Sequence, residues 1–106
     1  MTTGGNWKEL YWAAQTGDLE LVEYHCQTGV DINYQHPEFM TTPLIASIEN
    51  KHLAIAKYLL ENGADPTAKE FFGKLTPLTA AEATGNAQLI DLIRFYLNKN
   101  QNLNQA

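Results

Sequence analysis

Cys26 is the only cysteine among 106 residues, so no disulfide can close within the chain, and a reducing compartment, the cytoplasm, is expected. Basic residues are scarce: seven Lys and Arg against twelve Asp and Glu leave a formal net charge of −5. With no basic cluster anywhere, the charge argues against a phosphate backbone, and no nucleic-acid partner is expected. The longest apolar stretch, Leu10 to Ala14, is far short of a membrane span, and no membrane partner is expected. The start, MTTGGNWKE, has neither the basic nor the apolar segment of a secretory leader.

Catalytic and metal-binding patterns are missing as well. Ser47 is the only serine and has no G-x-S-x-G turn around it. His25 and Cys26 are adjacent, and neighbours on a helix point about 100° apart, so they cannot pair as base and nucleophile. Cys26 reads instead as a small apolar filler, and His25 as a packed or rim residue. His25, His36 and His52 lack the spacing of a metal site. Gly4-Gly5 opens no strand–helix unit and Gly73 is a turn glycine, so there is no phosphate loop. No catalytic residue, metal or cofactor is expected, and the chain does not read as an enzyme.

What is present is repetition. At 44% apolar and 18% charged residues, the composition is that of one small globular domain. Thr42-Pro43-Leu44 recurs after 34 residues as Thr76-Pro77-Leu78. At the same offset Leu10, Leu44 and Leu78 align, as do Leu21, Ile55 and Leu89, and Val22, Ala56 and Ile90. Gly29 matches Gly63, and Asp31 matches Asp65. A fixed period in this range marks stacked units, none of which can bury its apolar face alone.

Each unit carries the signals of two short antiparallel helices. Thr before Pro is a capping hydroxyl followed by a residue that needs no N–H. Asp18, His52 and Asn86 stand where a second helix must be capped. Ile55-Ala56 with Leu59-Leu60 gives one apolar stripe of helical period. Gly29 and Gly63 suit a left-handed helix end. The segments after them, VDINYQHPEFMT and ADPTAKEFFGKL, have no helical period and read as extended, hairpin-like loops.

From Thr42 to Asp65 these residues resemble the ankyrin repeat family, whose pattern of TPLH-x-A, a break, a helix and LL-x-x-GAD is nearly complete here. The resemblance covers roughly Trp7 to Asn98 and implies an all-α solenoid of three helix-turn-helix repeats, about 6–39, 40–73 and 74–98. Residues 1–5 are expected as a disordered start and 99–106 as a polar, frayed tail. Ile45 and Thr79 stand where the family has histidine, which is expected to loosen the turns. The period exceeds the family's usual value of about 33, placing one extra residue in each loop. Arg94 replaces the apolar Leu60 of the second copy, as suits an end repeat facing water.

The resemblance further implies a non-catalytic module whose loop tips and first helices grip a protein partner. The positions so implied are Tyr34, Gln35, His36, Glu38, Phe39, Met40, Lys69, Glu70, Phe71, Phe72 and Lys74 on the loops, with Gln15, Thr16, Glu49, Asn50, Ala83 and Thr84 on the helices. Aromatic and Met side chains at loop tips are of the types enriched at interface centres. Two roles are open to these rings: exposed anchors, or Phe39 and Phe72 stacked on each other between loops. Trp12 aligns with Ala46 and Ala80 and either covers the end of the core or anchors a ligand. A monomer is expected. The alternative is a self-associating structural subunit that uses the loop aromatics or an end face.

Overall fold

The two Thr-Pro steps begin helices as their chemistry requires. In the computed structural model, Thr42 is extended (φ −110°, ψ 160°) and its hydroxyl accepts from the Ile45 N–H at 3.2 Å. Thr76 accepts in the same way from the Thr79 N–H at 3.1 Å. Helices α3 (Pro43–Glu49) and α5 (Pro77–Thr84) follow. The structure describes the backbone of residues 4–73 and 75–105, and the side chains of 6–73 and 75–99.

The remaining helices are α1 (Gly4–Thr16), α2 (Leu19–Gln27), α4 (Leu53–Glu61) and α6 (Ala87–Gln105). The described residues contain no strand. In one layer α1 packs on α3 and α3 on α5; in the other α2 packs on α4 and α4 on α6. Each pair within a repeat also packs across the layers. This is the solenoid of three helix pairs expected from the period.

The apolar core follows the aligned positions. Leu10, Leu44, Ile55, Leu59, Leu89 and Ile93 are fully buried. The middle repeat is flanked on both sides, and its residues 41 to 48 are buried without a break. The equivalents facing the ends, Leu21, Leu78 and Ile90, are only half-buried because no further repeat covers them. Ser47 lies in this core, its hydroxyl donating to the Leu44 carbonyl at 2.7 Å, a helix-internal bond.

Several local expectations are corrected. Thr79 does not loosen its turn: its hydroxyl accepts from the Thr76 N–H at 2.8 Å and closes a reciprocal capping box. Ile45 is fully buried and adds to the core. Asp18 and Asn86 cap α2 and α6 through their side chains, whereas His52 makes no cap bond to α4. Its Nε2 donates instead to the Gln15 carbonyl at 3.0 Å, tying the second repeat to the end of α1. The ring lies over Gly17 (φ +94°), where an added Cβ would come within 2.8 Å of it.

His25 is buried, with Nε2 2.7 Å from Glu9 Oε1, so α2 is pinned to α1. Cys26 is half-buried rather than enclosed, and burial raises its thiol above the ordinary pKa. Gly4 and Gly5 already belong to α1, and α6 continues through the polar segment to Gln105. Met1–Thr3 lie outside the described residues.

Candidate interaction surface

The loops after Gly29 and Gly63 run side by side and are joined by two amide side chains. Asn33 donates to the Gly63 carbonyl at 3.1 Å and accepts from the Asp65 N–H at 2.8 Å. Gln35 donates to the Lys69 carbonyl at 2.6 Å and accepts from the Phe71 N–H at 3.1 Å. Each amide thus satisfies a donor and an acceptor of a backbone that has no sheet partner. The second loop is closed on itself by the Glu70 N–H donating to the Leu75 carbonyl at 2.8 Å, around a single 3₁₀ turn at Phe71–Gly73.

The expected aromatic and Met loop residues divide into two groups. Tyr34, His36 and Phe39 pack against α1, with Tyr34 still 42% exposed. His36 stacks on Trp7 with ring centroids 4.1 Å apart, and Tyr34 tilts against Trp7 at 5.8 Å. Phe39 meets Trp7 edge-on at 5.2 Å and Tyr11 at 4.7 Å. Phe39 therefore packs on the first helix instead of stacking on Phe72. Such contacts add to area burial by about 0.5–1.5 kcal/mol each, and they fix the first loop to α1.

Met40, Phe71 and Phe72 stand outward. Met40 is 37% exposed, Phe71 42% and Phe72 85%. Met40 (φ +56°) and Phe72 (φ +67°) both hold left-handed backbone, which disfavours side chains of this size. With Phe39 and Glu70 they line a small cleft between the loop tips, of about 130 Å³. Lys74 lies outside the described residues.

On the helices, Glu49 and Thr84 line a shallow groove between α3 and α5 together with Lys51, Leu75, Ala80 and Ala83. Asn50 and Thr84 are occupied at their own helix ends. Asn50 donates to the Ala46 carbonyl at 2.9 Å, and Thr84 donates to the Ala81 carbonyl at 2.6 Å. Trp12 is half-exposed on α1 with the Lys8 ammonium 5.1 Å above its ring.

Glu70, one of the implied loop positions, belongs to this face, and so does Tyr11, which the sequence did not mark as a binding position. Tyr11 occupies the register of Ile45 and Thr79, so a large polar ring at that place was the available signal. Its phenol is raised above the ordinary pKa by burial first, then by the charges of Glu49 and Glu70. The Glu49 carboxyl is likewise raised, by burial and then by Glu70. Three acidic groups thus share one field on the face formed by α1, α3 and the second loop. Among the described residues the ion pairs are Glu9–His25, Glu38–His36 and Glu82–Arg94, so neither Glu49 nor Glu70 has a cationic partner there. No three potential metal ligands converge among the described residues, and none of the described helices is long and apolar enough to cross a membrane.

Comparison with known proteins agrees with the architecture. The chain is 32% identical over 88 residues to the palmitoyltransferase AKR1 of Lachancea kluyveri, covering 83% of this chain and 12% of that protein. It is 32% identical over 84 residues to the ARF GTPase-activating protein GIT1 of Homo sapiens, covering 79% of this chain and 11% of that one. The human 2-5A-dependent ribonuclease is 32% identical over 77 residues, 73% of this chain and 10% of its own length. This chain therefore spans only about a tenth of each relative, and the activities in those names are stated of the whole proteins. Ankyrin repeats are in general non-catalytic and bind other proteins. The model for ankyrin repeats matches residues 10–106 as three copies, and with three helix pairs in register the chain belongs to the ankyrin repeat family.

Proposed function

We propose that this chain is a non-catalytic protein-binding module that offers its loop tips and first-helix face to a protein partner, as a monomer in the cytoplasm. The observation that carries the reading is the set of outward side chains Met40, Phe71 and Phe72, held on loops that Asn33 and Gln35 lock together. Exposing rings gains a lone solenoid nothing, and contiguous exposed apolar surface marks interaction sites. Locked loops lose little conformational freedom on docking, so more of the contact energy remains as affinity.

The test compares the wild-type chain with a Phe71→Ser/Phe72→Ser variant in pull-downs, followed by titration of the captured partner. Stability is expected to stay within about 1 kcal/mol, while affinity falls by about 2 kcal/mol, roughly thirtyfold in Kd. Lys57→Gln, exposed on α4, serves as the control and should change neither quantity. If the double variant unfolds while affinity per folded molecule is constant, the rings are packing elements. The partner surface then lies on the first-helix face around Glu49 and Asn50.

A further inference from the structure

The cleft between the loop tips differs in kind from the open groove beside α5. It is lined by Phe39, Met40, Phe71 and Phe72, and its one charged lining residue is Glu70. At about 130 Å³ it is close to the void of about 150 Å³ that takes one benzene-sized group. It therefore admits a single side chain, and no helix or strand could enter it.

The chemistry of the wall selects what enters. Aromatic faces carry the negative lobe of the ring quadrupole and attract cations. Glu70 is half-buried, and among the described residues its carboxylate has no hydrogen-bond or ion-pair partner. Glu49 stands close enough for the two carboxylates to feel each other, and Tyr11 feels both. An anionic side chain would be repelled here. A neutral apolar one would cover Glu70 without compensating its charge, which is costly. A cation satisfies rings and carboxylate together.

We propose that this cleft takes an arginine or lysine side chain of a protein partner, seated against the phenyl rings with the Glu70 carboxylate as its counter-charge. The assignment rests on the loop-tip reading above and adds the chemistry of the partner's anchor. Arginine, planar and weakly hydrated, fits both a ring face and a carboxylate.

The assignment is tested by titrating isotope-labelled protein with N-acetyl-leucyl-arginine amide and with its citrulline counterpart, which keeps the shape and loses the charge. Saturable shifts are expected at the amides of Met40 and residues 69–73 in the millimolar range, weaker by about fivefold or more for citrulline. The preference should shrink at high salt. Glu70→Gln should level the two probes without loss of fold, since its side chain holds nothing among the described residues, while Glu20→Gln on α2 should leave the preference intact. Equal responses to the two probes at the loops overturn the cation assignment and leave the loop-tip reading standing. Silence at the loops with both probes, or an arginine preference that survives Glu70→Gln, also overturns it. The loop-tip reading itself falls only if the Phe71→Ser/Phe72→Ser chain keeps full affinity for its protein partner.

Discussion

Gln35 and Phe71 belong to different repeats, yet the Gln35 carboxamide oxygen accepts the Phe71 N–H at 3.1 Å while its nitrogen donates two residues away, to Lys69. One side chain thereby sets the conformation of the loop that carries the most exposed ring of the surface. Gln35→Ala removes both bonds. At a net value of about 1 kcal/mol per bond or less, for an exposed site, the expected loss of stability is about 1 kcal/mol. Amide exchange at Phe71 should accelerate markedly, while exchange in α3 and α4 keeps its rate. Unchanged protection at Phe71 would show that the 3₁₀ turn holds itself.

The burial gradient along the stack predicts unequal costs for the same substitution. Leu59→Ala, fully buried in the middle repeat, should cost about 2–5 kcal/mol, a large share of the roughly 5–15 kcal/mol typical of a domain. Leu78→Ala, half-buried at the end of the stack, should cost clearly less. Urea titration of the two variants gives the comparison, and equal losses would contradict an uncovered end.

His25 occupies the register of Leu59 and Ile93, both fully buried. Its Nε2 reaches Glu9, but Nδ1 is buried without a partner among the described residues. Glu9 is largely exposed, so the bond is to a solvated carboxylate and the orphaned nitrogen is an uncompensated cost. His25→Leu should therefore raise stability by about 1 kcal/mol in urea titration. Destabilisation beyond that amount would mean that the bond between α1 and α2 outweighs the orphaned atom.

Glu49 makes stability depend on pH in a direction opposite to that of a paired carboxylate. Burial and then Glu70 hold its folded pKa above the ordinary value, to which it returns on unfolding. Above both values the folded state carries the penalty in full. As pH falls through the raised value the native state takes up its proton first, and the penalty disappears. Glu49→Gln should thus stabilise the protein at neutral pH by at most about 0.5 kcal/mol, given solvent screening. The gain should vanish below about pH 3, where Glu49 is protonated in both states. Thermal melts across that range check it; a gain that grows toward acid would reverse the assignment.

The sequence by itself determined the fold. Thr-Pro caps, helix-end glycines and apolar residues recurring at one offset are local signals, each fixed by backbone chemistry or helical period, and three copies of the same signals leave one way to bury the stripes. The same register set His25 in line with Leu59 as a packed or rim residue, and the polar Arg94 in line with Leu60 as the mark of a repeat facing water. Only the tertiary structure decided which loop rings face out. Phe39, Phe71 and Phe72 are alike in sequence, but Phe39 falls beside Trp7 and Tyr11 of another element, while Phe71 and Phe72 sit in the turn whose first N–H Gln35 binds from the neighbouring loop. Likewise the meeting of Tyr11, Glu49 and Glu70 joins residues nearly sixty positions apart. Contacts of that kind depend on where the stack places separate helices and loops, a distance in space that no local propensity encodes.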